Sequence, residues 1–272
     1  MHHLLENWGN SASTDSVRSL FDTTYDYFPS TTTSLAPTMH ASMPTTRTSQ
    51  PIVTGTSVLG IKYKDGIMMI ADNLASYGSL ARFRDVERII PVGDFTILGA
   101  SGDVSDFQAL TQMMETLMIK EYDIDDGHKM APSNIYEYLS RVMYSRRSQV
   151  NPLWNSLVVG GHKNGEKFLG FVDLQGTTYQ SSTIATGYGA YIAQPLLRKA
   201  VEGREDTLTE QEAIKLLDDC MRVLYYRDAR SLNKMQRATV TEKGIAITPP
   251  YELETEWGFA EYIRGYGATY GQ

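Results

Sequence analysis

Cysteine is almost missing: Cys220 is the only one in 272 residues. That excludes an intrachain disulfide and a multi-cysteine metal site, and it suits a reducing compartment. No apolar run reaches the roughly 18 residues that a membrane span requires. The start, Met1-His2-His3-Leu4-Leu5-Glu6, sets no basic segment before an apolar one, so neither a secretory signal nor a membrane partner is expected. Basic blocks are also lacking. With a formal net charge of −7, the chain has no obvious positive surface for phosphate backbones, and no nucleic-acid partner is expected. The five histidines, His2, His3, His40, His128 and His162, are scattered without zinc spacing. A Gly-x-Ser-x-Gly elbow is absent. Two Gly-Tyr-Gly-Ala segments, at 187–190 and 265–268, lack the third glycine and the preceding strand of a dinucleotide loop. Neither a metal nor a cofactor is expected, and the chain reads as cytoplasmic or nuclear.

What is present divides the chain at Pro51. Residues 1–50 hold 18 Ser or Thr and no Lys, with neither helical nor strand periodicity, and read as a flexible leader. Apolar-rich runs follow at Thr56–Tyr63 and Gly66–Ala71, and Asp65-Gly66 between them predicts a hairpin with a type I′ turn. Strand signals recur at Thr96–Ala100, at Ser156–His162 joined through Asn164-Gly165 to Phe168–Leu174, and at Ala238–Thr241 and Ile245–Thr248 around Lys243-Gly244. Helices are predicted between them. One carries Phe107, Leu110, Met114, Leu117 and Met118 on a single face, and a second carries Ile135, Leu139, Val142 and Met143. A third follows Gly189. The fourth opens on a capping box of Thr209 and Glu212. Strands, helix pair, strands, helix pair, strands suits an α+β chain with two antiparallel sheets packed face to face and helices outside, a four-layer αββα sandwich. Hairpin turns argue against a doubly wound parallel sheet.

One arrangement carries chemistry. Gly55-Thr56 opens the first run and Asp72 closes the second, so a hairpin returns Asp72 to the neighbourhood of Thr56. A cut after Gly55 would give Thr56 both a hydroxyl nucleophile and an α-amine base with a reference pKa of about 7.7–8.0, close to neutrality. A threonine starting a strand and an aspartate ending one are equally ordinary structural residues, and spacing alone favours that plainer account.

Longer stretches add to it. Thr54–Gly60, Ala71–Phe83, Gly99–Asp103, Met143–Ser148, Asn151–Asn155, Gly187–Ile192 and Tyr225–Ser231 together resemble the β subunits of the 20S proteasome, in the family's order. The resemblance implies the N-terminal-nucleophile hydrolase fold over residues 51–250 and assembly with other proteasome α and β subunits in stacked hetero-oligomeric rings. In active members the site holds an N-terminal threonine, an aspartate, a lysine, a turn serine and a late Asp and Ser. By position these fall on Thr56, Asp72, Arg88, Tyr188, Asp228 and Ser231. Arginine stays protonated and cannot pass a proton as lysine might, and tyrosine sets a bulky ring where a small hydroxyl belongs. The resemblance therefore implies a vestigial site, with no catalytic residue, in which Asp72 and Arg88 form a bidentate ion pair. It further implies a non-catalytic, structural member of a threonine peptidase family serving ubiquitin-dependent degradation; the alternative is an active N-terminal threonine peptidase. The leader is expected to be a propeptide to about Arg47, cut near Thr48.

From Tyr251 onward six aromatics, Tyr251, Trp257, Phe259, Tyr262, Tyr266 and Tyr270, alternate with Gly258, Gly265, Gly267 and Gly271. Glycines interrupt any long helix. Residues 251–272 are read as a contact arm, with the last five of those rings as interface candidates and a short helix at 257–263 as the competing account.

Overall fold

Residues 49–260 are described by the computed structural model, apart from the Phe259 side chain. The leader up to Thr48 and the ring positions Tyr262, Tyr266 and Tyr270 lie outside them. In chain order the strands are β1 (Val53–Gly55), β2 (Val58–Tyr63), β3 (Gly66–Asp72), β4 (Ala75–Tyr77), β5 (Leu80–Phe83), β6 (Ile89–Val92) and β7 (Thr96–Asp103). Two helices follow, α1 (Val104–Ile124) and α2 (Pro132–Ser148), then β8 (Asn155–Lys163), β9 (Glu166–Val172), β10 (Thr178–Gln180) and β11 (Thr183–Ala185). A second helix pair, α3 (Gly189–Val201) and α4 (Glu210–Arg227), precedes β12 (Met235–Thr241) and β13 (Gly244–Ile247).

The strands form two antiparallel sheets. One runs β10-β9-β8-β7-β1-β4-β5, with β6 also on β7; the other runs β11-β2-β3-β12-β13. Strand β3 explains why they stack. Its side chains alternate, Met68 and Ile70 entering the layer beneath α3 and α4, Ile67, Met69 and Ala71 entering the layer between the sheets. An unbroken apolar run is what a strand buried on both faces requires. Helices α1 and α2 cover the opposite sheet through Phe107, Leu110, Met114, Ile135, Leu139 and Met143. The result is the four-layer αββα sandwich of the N-terminal-nucleophile fold.

Of the three expected hairpin turns, one forms as read and two are shifted by a residue. Asn164 (φ 52°) and Gly165 (φ 79°) both take the left-handed values of a type I′ turn between β8 and β9. Between β2 and β3 the turn residues are instead Lys64 and Asp65, neither with positive φ, and Gly66 already pairs with Tyr63. Gly66 is demanded by its other neighbour: a Cβ there would lie 1.9 Å from the Val240 carbonyl oxygen of β12. The β12–β13 turn is likewise shifted by one, to Glu242 and Lys243, with Gly244 at φ 113° pairing with Thr241.

Strand β1 is the element that positions the site. It is three residues long, yet it pairs on both edges, Thr54 with Ser76 of β4 and Thr54 and Gly55 with Asp103 and Gly102 of β7. Strand β6 occupies the other half of the same β7 edge, Ile89 facing Gly99 through Val92 facing Thr96. A step therefore exists along β7 between β6 and β1, and Arg88, one residue before β6, stands at it.

The C-terminal segment corrects the reading of an arm from Tyr251. Tyr251 bridges to Met235 in both directions, its nitrogen donating to the Met235 oxygen and its oxygen accepting from the Met235 nitrogen. Its hydroxyl donates to Asp218 Oδ1 at 2.6 Å and accepts from Arg237 Nη1 at 2.9 Å. Leu253 exchanges two hydrogen bonds with the Asn233 amide. Trp257 stands edge-on to Tyr225 and Tyr226, centroids 5.8 and 4.9 Å away, before a 3₁₀ turn at Gly258–Ala260 that includes the backbone of Phe259. Residues 251–257 are thus a strap on the body, because α4 and β12 offer aromatic and polar partners that periodicity does not reveal.

Candidate active site

The first hairpin brings the ends of β2 and β3 together, and the loop after α4 closes over them. Thr56 Oγ1 donates to Asp228 Oδ2 at 2.5 Å. Asp228 is held in turn: its Oδ1 accepts from the Arg230 nitrogen at 2.8 Å and its main-chain oxygen from Ser231 Oγ at 2.7 Å. Ser231 therefore spends its hydroxyl on its own loop and not on Thr56. Strand β1 runs directly into Thr56, so in the uncut chain its nitrogen is a peptide amide.

Arg88 occupies the interior of the site with 2% of its surface exposed. All five of its N–H donors are used. Nε donates to the Asp72 carbonyl (2.8 Å), Nη1 to the carbonyls of Thr56 (2.7 Å) and Ala100 (3.2 Å), and Nη2 to the Ser57 carbonyl (2.9 Å) and to Asp72 Oδ1. The expected bidentate ion pair is not formed. Only one carboxylate oxygen meets the guanidinium, because Asp72 Oδ2 accepts from the Leu232 nitrogen at 2.9 Å and the rest of the fork is spread over backbone oxygens. Burial pushes the Asp72 carboxyl above its ordinary range, while the Arg88 charge and the Leu232 N–H oppose that rise.

Tyr188 precedes α3 and is 59% exposed, so its ring stands largely in solvent instead of filling the site. The glycines on either side of Tyr188, Gly187 and Gly189, lie against Ser57 instead. A Cβ on Gly189 would come within 2.9 Å of Leu59 Cδ2 and 3.2 Å of Ser57 Cβ, and Gly189 donates to Ser57 Oγ at 2.8 Å. Of the six residues assigned by position, Thr56, Asp72, Arg88, Asp228 and, through the Asp228 main-chain oxygen, Ser231 are joined in one hydrogen-bonded group. Tyr188 lies outside it, beside Gly189.

Three contributors were not singled out from sequence. Ser57 supplies a carbonyl and a hydroxyl, Ala100 a carbonyl, and Leu232 an N–H. Backbone groups leave no residue-type signature, so only the Ser57 hydroxyl had one. Asp103, the N-cap of α1, also fixes the entrance of β1, its Oδ2 accepting from the Ile52 nitrogen at 2.8 Å.

The model of the family described as Proteasome subunit matches residues 52–240. Proteasome subunit beta type-4 of Xenopus laevis is 53% identical over 223 residues, covering 82% of this chain and 92% of its own length. Probable proteasome subunit beta type-7 of Schizosaccharomyces pombe is 52% identical, with 82% and 87% covered. Proteasome subunit beta type-4 of Arabidopsis thaliana is 45% identical, with 79% and 87% covered.

Proposed function

The chain belongs to the proteasome subunit family, as a β-type subunit of the 20S particle, and on that premise we propose that it is a non-catalytic wall of the β ring. It takes the seventh β position, that of the type-4 subunits it resembles, beside neighbouring β subunits and against an α ring in the stacked particle. It serves ubiquitin-dependent degradation in cytoplasm and nucleus. Its leader is removed near Thr48 by an adjacent active subunit. Its last residues, beyond Arg264, reach across a subunit boundary as a contact arm.

The observation that carries the reading is the state of Arg88. A general base must take up and release a proton at the working pH. A guanidinium does neither, and here all five donors are already committed to four carbonyls and one carboxylate.

The competing reading, a self-processing threonine peptidase, draws on the Gly55-Thr56 pair and on the hydrogen bond from Thr56 to Asp228. Intact-mass measurement and N-terminal sequencing of the subunit from the purified native particle separate the two. A start near Thr48 is expected. A start at Thr56, together with labelling by inhibitors that need both a hydroxyl and a free amine, would replace this reading with the peptidase one. Recovery of the chain only as a stable monomer would remove both.

A further inference from the structure

We propose that Arg88 is a latch that keeps strand β1 seated in the eight-stranded sheet, and that Gly55 is glycine because the latch lies on it. The proposal rests on the reading that the peptide bond before Thr56 stays uncut.

Strand β1 has little to hold it by itself. Three residues offer few ladder bonds, strands that short are marginal, and nothing in the length of β1 accounts for its place between β4 and β7. Both its ends are pinned by charged side chains. At the entrance Asp103 accepts from the Ile52 nitrogen. At the exit Arg88 takes the Thr56 and Ser57 carbonyls, and it ties them to the end of β3 through Asp72 and to β7 through Ala100. The Ala100 nitrogen returns a bond to the Arg88 carbonyl at 3.0 Å, which fixes the arginine's own backbone to β7.

The arginine stem lies flat on the last residue of β1. A Cβ built on Gly55 would meet Arg88 Cδ at 2.4 Å, and Nε and Nη1 at 3.0 Å. Gly55 is buried and its φ is not in the left-handed region, so close approach rather than backbone conformation demands glycine there. Arg88 itself has no room to yield, being fully bonded and buried.

Lysine could not replace this device. Its ammonium has three donors at one point, so at least two of the five acceptors would lose their partner inside the protein. An unpartnered buried carbonyl is costly, and the cheapest relief is for β1 and its junction to open to water.

Hydrogen exchange on the assembled particle tests the latch. In the unaltered particle the amides of residues 53–55 should be protected at the level of β7. Arg88→Lys should speed exchange across residues 52–57 by about tenfold or more, with peptides from α2 unchanged. Gly55→Ala should act in the same direction with Arg88 intact, which supplies a second variant should the lysine form fail to assemble. Fast exchange of residues 53–55 in the unaltered particle, or unchanged exchange in either assembled variant, would overturn the latch. A mass showing that residues 48–55 are absent would instead overturn the reading beneath it.

Discussion

Arginine and lysine carry the same charge, yet position 88 distinguishes them by geometry. The planar fork reaches five acceptors at once, on strands β3 and β7 and on the junction between β1 and β2, where a point charge would reach fewer. Thr56→Ala removes one hydroxyl bonded to Asp228 and no catalytic group on this reading, so peptide cleavage by the assembled particle should stay unchanged. Arg88→Met leaves Asp72 as an uncompensated buried carboxylate, a change that costs about 3–5 kcal/mol, and should lower the yield of assembled particle. Measuring particle yield and peptide hydrolysis for both variants is the check. Equal loss of cleavage in both, with assembly intact, would return catalysis to this site.

At the scale of elements, the ends of the first two helices make contrasting cases. Helix α1 starts on Asp103, whose Oδ1 accepts from the nitrogens of Ser105 (2.9 Å) and Asp106 (3.1 Å) and whose Oδ2 holds Ile52. Burial pushes this carboxyl up, but the Ser105 hydroxyl and the Ile52, Asp106 and Ser105 N–H groups outweigh it and hold its pKa below the ordinary 3.8. A depressed folded-state pKa stabilises the fold above the unfolded value, and that contribution fades as pH falls through the folded value. Asp103→Asn should therefore flatten the fall in stability below pH 3.8, measured by acid unfolding, and Asp103→Ala should cost about 1 kcal/mol at neutral pH for the lost cap.

Helix α2 ends less favourably. The Asn151 nitrogen donates to the Arg146 carbonyl at 3.1 Å and the Val150 nitrogen to that of Arg147 at 3.0 Å, the paired bonds of a Schellman cap. The left-handed position of that cap, φ 56°, is filled by Val150, which is 85% exposed. A β-branched side chain is strained there and gains no burial in return. Val150→Gly should raise thermal stability by about 1 kcal/mol; a lower melting temperature would mean that the valine makes a contact elsewhere in the particle.

Over the whole molecule, the strap at 251–257 and the arm proposed beyond Arg264 call for separate tests. Tyr251, Leu253 and Trp257 belong to the body, and their removal should unfold it. Deleting residues 265–272 should leave the melting temperature of the subunit almost unchanged while slowing the joining of half-assembled particles. Particle assembly followed by native gel, beside the melting curve, tests both halves. Melting of the subunit on the shorter deletion, with assembly spared, would place those residues in the core.

The parts of this architecture carried by local patterns were legible beforehand. Local patterns located the four α-helices of the described residues, the Thr209 and Glu212 capping box opens α4 as expected, and Asn164-Gly165 makes its type I′ turn. Apolar runs located β2, β3, β7, β8, β9 and the last hairpin, which is enough to require stacked sheets. Strands β1, β4, β5 and β6 are three or four residues long, and they exist through pairings with distant segments instead of through alternation of their own. For the same reason Gly66 was assigned to a turn, although Val240 from a strand 170 residues later explains it.

The site divides along the same line. The resemblance carried by the sequence assigned residues to the positions of the family's catalytic group, with an arginine and a tyrosine at two of them. Only the tertiary structure decided what those residues do. It turned Tyr188 toward solvent, folded Ser231 back on its own loop, and divided the Arg88 donors among four carbonyls and a single oxygen of Asp72. Residue identity fixes charge, donor number and size. The direction of a donor is set by acceptors on strands far away in the chain, and most of those acceptors are backbone oxygens that every residue possesses.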